Sequence, residues 1–139
     1  KCHGRECTGA FSTSLKGKFM CRGEAHNPKE VKVEVFHPSG FSKEYGEDIV
    51  KVKNGSFFFN KTFVPHSGLT NIYLKMTIDA FCCENSVESN CNEKWEIRLP
   101  DSVLSCGHSS STFDMETMEL GFHNYPKVYC SNPTMFSNN

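Results

Sequence analysis

The stretch NGSFFFNKT, residues 54–62, decides the fold because it joins a turn signal to a strand signal. An Asn-Gly pair is the strongest short-range signal for a two-residue hairpin turn. The residues before and after it, 51–53 and 56–59, are therefore predicted to form paired strands. The first element that the sequence predicts is thus a β-hairpin.

The three consecutive phenylalanines of this stretch are predicted to divide between two faces. Side chains alternate along a strand, so Phe57 and Phe59 point one way while Phe58 and Asn60 point the other. The triplets that begin at Asn54 and Asn60 are acceptor patterns for N-linked glycans, which must face water. Phe58 is therefore predicted to lie on the outer face beside glycosylation sites, either as a rim residue packed under a loop or sugar or as a contact for a membrane or partner.

The same period of two recurs along most of the chain. VKVEVF, IYLKMTI and EKWEIRL, at residues 31–36, 72–78 and 93–99, each alternate apolar with polar side chains. Further stretches with strand character lie at 15–21, 47–53, 55–60 and 117–122. About seven such strands are typical of an antiparallel sandwich, so we predict an all-β antiparallel β-sandwich of seven to eight strands. Its predicted core contains Val33, Phe57, Phe59, Leu74, Met76, Trp95 and Ile97.

Length and charge limit the classes of protein that fit. The 139 residues suffice for one domain with one core. A net charge of −1 gives no positive excess that would attract nucleic acid. Residues 1–61 nevertheless carry eleven basic and seven acidic side chains, and residues 62–139 carry four and nine. This asymmetry indicates either two differently charged faces or ordinary scatter of charge over a folded surface.

Cysteine content points to an oxidising compartment. Eight cysteines and two glycan acceptor triplets are typical of extracellular proteins. No apolar run approaches the roughly 20 residues that a membrane-spanning helix needs. We therefore predict a soluble, secreted glycoprotein stapled by disulfides, with Lys1 as its mature amino terminus.

Zinc binding is the alternative use of these cysteines. No local pattern has the C-x2-C spacing that lets two thiolates share one tetrahedral ion. The patterns are Cys2-x4-Cys7, Cys82-Cys83 and Cys106-Gly107-His108. Disulfides are therefore predicted, with no metal and no cofactor. Spacing alone leaves their connectivity open, although strain between adjacent cysteines indicates that Cys82 and Cys83 have different partners.

Six segments, in order along the chain, resemble the nematode transthyretin-like proteins, which carry a G-K-[LF]-x-C element followed by an alternating V-K-V strand. The segments are LKGKFMC (15–21), VKVEVF (31–36), NGSF (54–57), IYLKM (72–76), RLPDSVLSCG (98–107) and FDMETMELGF (113–122). The resemblance implies a secreted transthyretin-type β-sandwich that pairs as a homodimer. On this basis we expect an amino-terminal arm at residues 1–14, the sandwich at 15–130 and a tail at 131–139.

The resemblance also implies two disulfides, since the family pattern places cysteines where Cys21, Cys83, Cys91 and Cys130 stand. We expect Cys21 to pair with Cys130, and Cys83 with Cys91. The four additional cysteines indicate that the arm is stapled to the body. One arrangement is Cys2 with Cys7 and Cys82 with Cys106, and exchanged pairings remain open.

Catalysis is not expected. Relatives of transthyretin hydrolyse 5-hydroxyisourate with histidines, an arginine and a carboxy-terminal Tyr-Arg-Gly-Ser, and this chain instead ends VYCSNPTMFSNN. Its histidines occur singly, without a Ser/His/Asp or Cys/His pattern, and are interpreted as surface residues. They are His3, His26, His37, His66, His108 and His123.

Two binding functions remain. One is a carrier of a small hydrophobic or anionic ligand, by analogy with the channel between transthyretin subunits. The charged strand faces, which contain Lys32, Glu34, Lys94, Glu96 and Arg98, favour an anionic ligand there. The other is an extracellular bridging molecule, as some transthyretin-like proteins are, which binds phosphatidylserine on apoptotic cells and presents it to an engulfment receptor. The resemblance supplies this second idea, and we take it as the main expectation.

A basic surface with one exposed phenylalanine is the predicted lipid-binding site. Anionic headgroups attract each nearby Lys or Arg by about 1 kcal/mol. Lys51 and Lys53 share strand parity and point from one face. The predicted site consists of Lys18, Arg22, Lys51, Lys53, Phe58 and Lys61. Glycans on Asn54 or Asn60 would crowd this surface.

Overall fold

The computed structural model describes residues 2–38, 40–41, 46–65, 68–82, 94–108, 111–121 and 129–130. The described chain forms two β-sheets packed face to face, a disulfide-stapled all-β sandwich. None of the described residues forms a helix of the length and hydrophobicity required to span a bilayer.

Eleven strands lie within these described ranges and are numbered in chain order. The first sheet contains β1 (Arg5–Cys7), β4 (Glu30–His37), β5 (Gly40–Phe41), β6 (Glu47–Ile49), β8 (Thr70–Asp79) and β9 (Lys94–Arg98). The second sheet contains β2 (Phe11–Cys21), β3 (Glu24–Ala25), β7 (Ser56–Phe63), β10 (Leu104–Cys106) and β11 (Phe113–Glu119). The count exceeds the expected seven to eight because several strands have only two or three residues. The segment expected as an arm contributes β1 and the start of β2.

One strand pair runs parallel, whereas the other pairings between described strands are antiparallel. β10 lies antiparallel to the first residues of β2, with Cys106 opposite Phe11. The chain then reverses, and β11 runs alongside the rest of β2 in the same direction. Because β10 is antiparallel to β2 and β11 runs opposite to β10, β11 is parallel to β2.

The turn at Asn54-Gly55 has the predicted local geometry. Both residues have positive φ angles, 50° and 79°, as a hairpin turn of the primed type requires. Lys53 and Ser56 exchange two backbone hydrogen bonds of 2.9 Å. The turn itself is therefore confirmed.

The hairpin expected around this turn does not extend beyond the pair Lys53–Ser56, so that part of the prediction is wrong. Before the turn, β6 pairs with β4 in the first sheet. After the turn, β7 pairs with β2 along its whole length in the second sheet. The chain between them crosses from one sheet to the other, because a full strand partner in β2 offers β7 more backbone hydrogen bonds than residues 51–53 can.

The core lies between the two sheets and follows the predicted alternation. Of the predicted core residues, Phe59 is half-buried and packs against the core. The other six are buried, and they are Val33, Phe57, Leu74, Met76, Trp95 and Ile97. Gly17 lies opposite Phe57, and a Cβ on this glycine would come within 2.7 Å of the Phe57 ring. The glycine in LKGK thus gives the first of the three phenylalanines room to pack.

Three disulfides connect the described parts of the sandwich, with pairings that differ from those expected. They join Cys2 to Cys130, Cys7 to Cys106 and Cys21 to Cys82. The expected pair Cys21–Cys130 is therefore wrong, and the arrangement of Cys2 with Cys7 and Cys82 with Cys106, one of those left open, does not occur. Cys83 and Cys91 lie outside the described residues, so their pairing stays a prediction.

Strand ends explain the observed pairings. Cys21 is the last residue of β2, and this end of β2 lies beside the end of β8. The two ends are joined by a hydrogen-bond contact of 2.8 Å between the His26 ring and the Ala80 carbonyl. Cys82 lies two residues after Ala80, within reach of Cys21. Cys7 ends β1 in the first sheet, and Cys106 ends β10 in the second. Both of these disulfides therefore link one sheet to the other.

Candidate functional site

The outer face of the second sheet carries a row of basic side chains across three neighbouring segments. Ser56 of β7 is paired on one side with Lys18 of β2 and on the other with Lys53. Paired residues point to the same face of a sheet, and all three are exposed. Since neighbouring strands lie about 4.8 Å apart, the backbones of Lys18 and Lys53 are about 10 Å apart. The structure thus brings two of the predicted site residues together.

Phe58 and Lys16 form the next row on this face. Phe58 is opposite Lys16 in the β7–β2 register, and its side chain is 59% exposed, as the alternation predicts. Lys16 is exposed as well, but sequence reasoning left it out of the predicted site. The signal was present in LKGK, because Lys16 and Lys18 share strand parity and must share a face.

These four residues, Lys16, Lys18, Lys53 and Phe58, are called the lysine–Phe58 surface below. Within the described part of the chain, none of its three lysines forms an ion pair. Their spacing of about 7 to 12 Å is comparable to the Debye length at physiological salt. The potentials of the three charges therefore add at this surface.

Three other predicted site residues lie elsewhere. Lys51 is exposed on the segment that crosses between the sheets. Arg22 is exposed in the β2–β3 turn. Lys61 has the opposite strand parity to Phe58, and its Nζ lies 2.6 Å from Asp48 Oδ2 of the first sheet. Lys61 thus links the two sheets instead of extending the lysine–Phe58 surface.

The turn that contains Arg22 is held by one carboxylate. Glu119 accepts hydrogen bonds from the backbone N–H groups of Arg22, Gly23 and Gly121, at 2.8, 2.8 and 2.7 Å. Burial alone would raise the pKa of Glu119, but these three donors and the Arg22 charge together lower it below the ordinary value of 4.5. The carboxylate therefore stays ionised and fastens the β2–β3 turn to the end of β11.

Acidic side chains border the lysine–Phe58 surface on its other side. Asp114 of β11 is paired with Lys16 of β2, in parallel register. Glu116 lies in the irregular part of β11, with a φ of 60°. Both carboxylates are exposed. The outer face of this sheet is therefore basic along β2 and at Lys53, and acidic along β11.

Both glycan acceptors lie near this surface. Asn54 is exposed in the turn beside Lys53, and Asn60 is exposed on β7, opposite Ser14. Asn60 follows Phe58 by two residues, so the two side chains share the outer face.

Some of the charged side chains on the outer face of the first sheet form ion pairs. Lys32 lies 3.5 Å from Glu47, and Lys75 lies 2.6 Å from Glu96. The Arg98 guanidinium lies 3.8 Å from the centre of the Tyr73 ring. On this face, which was expected to favour an anionic ligand in a carrier, ion pairs thus offset the charges of Lys32 and Glu96.

A cleft of about 680 Å³ lies where β1 passes the 3-10 helix Asp101–Val103. His3, Asp101 and Ser102 all line it, which are the residue types of a hydrolase triad. The Asp101 carboxylate, however, accepts the backbone N–H groups of His3 and Gly4, both at 2.9 Å. Burial alone would raise the pKa of Asp101, but these donors lower it below 3.8.

The cleft therefore has a structural carboxylate rather than a paired triad. Neither the His3 ring nor the Ser102 hydroxyl makes a hydrogen bond within the described residues. The same described residues contain no group of three or more His, Cys, Asp or Glu side chains with metal-binding geometry.

Comparison of the chain with protein families, with curated proteins and with solved structures finds no match in any of the three.

Proposed function

We propose that this protein is a secreted, non-enzymatic binding protein that contacts phosphatidylserine membranes through the lysine–Phe58 surface. In this function it bridges apoptotic cells to an engulfment receptor on phagocytes. The observation that carries the proposal is an exposed phenylalanine beside three exposed lysines that form no ion pair among the described residues, on one face of the second sheet. The resemblance to nematode transthyretin-like proteins supports the choice of lipid.

The lysines supply the long-range part of the contact. Each basic side chain near an anionic leaflet contributes about 1 kcal/mol, and the contribution falls off within a Debye length. Lys16, Lys18 and Lys53 together therefore give roughly 3 kcal/mol, a weak and salt-sensitive attraction. A homodimer would present two such surfaces and strengthen the contact by avidity.

Phe58 supplies the short-range part. An aromatic side chain that enters the headgroup region removes apolar area from water, which is worth about 25 cal/mol per Å². Phe58 stands on the same face as the lysines, so charge and ring reach a flat membrane together. Each contribution is small alone, and the specificity for an anionic membrane comes from the lysines.

The bridging part of the proposal needs a second surface for the receptor. In our proposal the first sheet faces that protein, because its outer face points away from a membrane bound to the second sheet. Its paired charges and the Phe36–Tyr73 stack, with ring centres 5.4 Å apart, have the mixed character of protein contact surfaces.

Vesicle sedimentation tests the proposal. Unglycosylated, fully oxidised protein is mixed with vesicles of phosphatidylcholine alone or with phosphatidylserine, at low and at physiological salt. We expect binding only to the phosphatidylserine vesicles, and weaker binding at the higher salt. Equal binding to both vesicle types, or no binding to either, would reject the lipid function.

A second candidate function is a carrier of a small anionic ligand. The cleft between β1 and the 3-10 helix supports it, since the space is large enough for a metabolite and is lined by Arg5, beside the carboxylates of Glu6 and Asp101. Titration calorimetry with small carboxylates distinguishes the two functions, because charge reversal at Arg5 would abolish binding in the cleft and leave vesicle binding unchanged.

A further inference from the structure

Phe58, Asn60 and Thr62 lie in line on the outer face of β7. All three are exposed and have the same strand parity, so they project in the same direction. Successive members are separated by two residues, which corresponds to about 6.7 Å along the strand. The central residue is the glycan acceptor, and Thr62 is the hydroxyl residue of its triplet.

We infer that the Phe58 ring is the platform on which the first N-acetylglucosamine of a glycan on Asn60 stacks. A pyranose ring has one face of C–H groups with partial positive charge, and the face of an aromatic ring is negative. A sugar on Asn60 can lie back along the strand over Phe58, one side-chain spacing away. In that position it covers a ring that is otherwise 59% exposed.

The covalent step has ordinary chemistry. The Nδ2 nitrogen of Asn60 loses one proton and forms a bond to C1 of N-acetylglucosamine. The C1–oxygen bond of a polyprenyl pyrophosphate-linked oligosaccharide breaks, and the lipid pyrophosphate leaves. The hydroxyl of Thr62, two residues on, completes the acceptor pattern.

The other acceptor triplet provides an internal comparison. Asn54 lies in a turn, with a φ of 50°, so it does not share a straight strand with the residue two positions before it. That residue, Val52, is partly buried against the core and offers no exposed ring. A glycan on Asn54 therefore has no aromatic platform of this kind.

The stacking also regulates the lysine–Phe58 surface, and this consequence rests on the proposed function. A sugar over Phe58 removes the ring from contact with a membrane and stands between Lys16 and the bilayer. The glycoform with Asn60 occupied is then the weakly binding form, and the unoccupied form is the strongly binding one.

The experiment compares melting temperatures with and without one sugar. Protein with Ser56→Ala, which leaves only the Asn60 acceptor, is secreted from a glycosylating host and trimmed to a single N-acetylglucosamine. The same sequence is produced unglycosylated in a bacterial periplasm. We expect the sugar to raise the Tm by roughly 2–5 °C, and to raise it by less than about 1 °C when Phe58 is replaced by Ala or by Leu.

Phe58→Leu separates ring stacking from general apolarity, and both variants retain the fold because the side chain is exposed. The matched control uses Thr62→Ala, which leaves only the Asn54 acceptor. We expect the sugar on Asn54 to change the Tm equally whether Phe58 is retained or replaced by Ala. An Asn60 side chain without glycan in the secreted protein, or a Tm rise that survives in both Phe58 variants, would overturn the inference.

Vesicle binding of the same proteins separates the inference from the proposed function. We expect the Asn60 sugar to reduce phosphatidylserine binding at least threefold when Phe58 is present, and by less in the Phe58→Ala variant. If the unglycosylated protein does not bind phosphatidylserine vesicles but the Asn60 sugar raises the Tm only when Phe58 is present, the lipid function is wrong and the stacking is supported. If the unglycosylated protein binds these vesicles but the Tm rise does not depend on Phe58, the stacking is wrong and the lipid function is supported.

Discussion

The Lys61 ammonium lies 2.6 Å from the Asp48 carboxylate, and this ion pair joins the second sheet to the first at one edge of the sandwich. Lys61 is the residue after the acceptor Asn60, so strand alternation turns it inward and away from Phe58. The two side chains are 25% and 35% exposed. Water therefore screens their attraction, and the ion pair stabilises this edge of the sandwich only modestly.

The first prediction is that the coupling between Asp48 and Lys61 is small but measurable. In a double-mutant cycle with Ala at both positions, we expect a coupling free energy of unfolding of about 0.5–1 kcal/mol that decreases as salt rises. The pair Lys75–Glu96 is the control, with the same 2.6 Å distance but a 61% exposed glutamate. A larger coupling at the control pair would contradict this interpretation of the sheet edge.

The second prediction concerns the core. Val33 is 3% exposed and lies between Met76 of β8 and Asp48 of β6 in the first sheet. Val33→Asp should destabilise the fold by several kcal/mol, because a buried carboxylate without a partner is desolvated. The control is Ile49→Asp, on the neighbouring strand but 56% exposed. Urea unfolding of both variants checks this, and a wild-type midpoint for Val33→Asp would reject the register.

The third prediction is the disulfide map. Proteolysis without reduction, followed by mass spectrometry, should yield peptides joined through Cys2–Cys130, Cys7–Cys106 and Cys21–Cys82. These bonds close loops of 128, 99 and 61 residues. In the chain-entropy treatment each contributes about 4–5 kcal/mol. A peptide joining Cys21 to Cys130 would show that the sheets are connected differently.

The fourth prediction is a loss of stability in acid that depends on Glu119. Its pKa is lowered in the folded protein, so its contribution is fully present above the unfolded value of 4.5 and is lost as pH falls through the folded pKa. Glu119→Gln should therefore lower stability at pH 7 and reduce the difference between pH 7 and pH 3. Urea midpoints at the two pH values measure this change in stability. If Glu119→Gln leaves the difference between the two midpoints unchanged, Glu119 does not hold the β2–β3 turn as described.

Alternation was enough to predict which side chains are buried. VKVEVF, IYLKMTI and EKWEIRL each alternate with a period of two, and their inward residues are those that the structure buries. The turn at Asn54-Gly55 was equally predictable, because its positive φ angles depend on two neighbouring residues alone.

Strand partners and disulfide pairs depended on the whole sandwich and could not be predicted in this way. Nothing in the sequence near Asn54 indicates that β6 joins β4 while β7 joins β2. The partner of Cys21 is likewise set by where β8 ends. Lys16 was different, since its parity with Lys18 would have placed it on the candidate surface from the sequence alone.

The most direct test of the lipid function is phosphatidylserine vesicle binding by Lys16→Glu/Lys18→Glu compared with Lys29→Glu/Lys94→Glu. Both double variants change the net charge equally, and all four lysines are exposed, but the control pair belongs to the margin of the first sheet. With unglycosylated protein, we expect the first variant to lose at least tenfold in affinity and the control to bind within about twofold of wild type, because charge near the leaflet contributes about 1 kcal/mol per residue. Equal binding by both variants would contradict the assignment of the lysine–Phe58 surface.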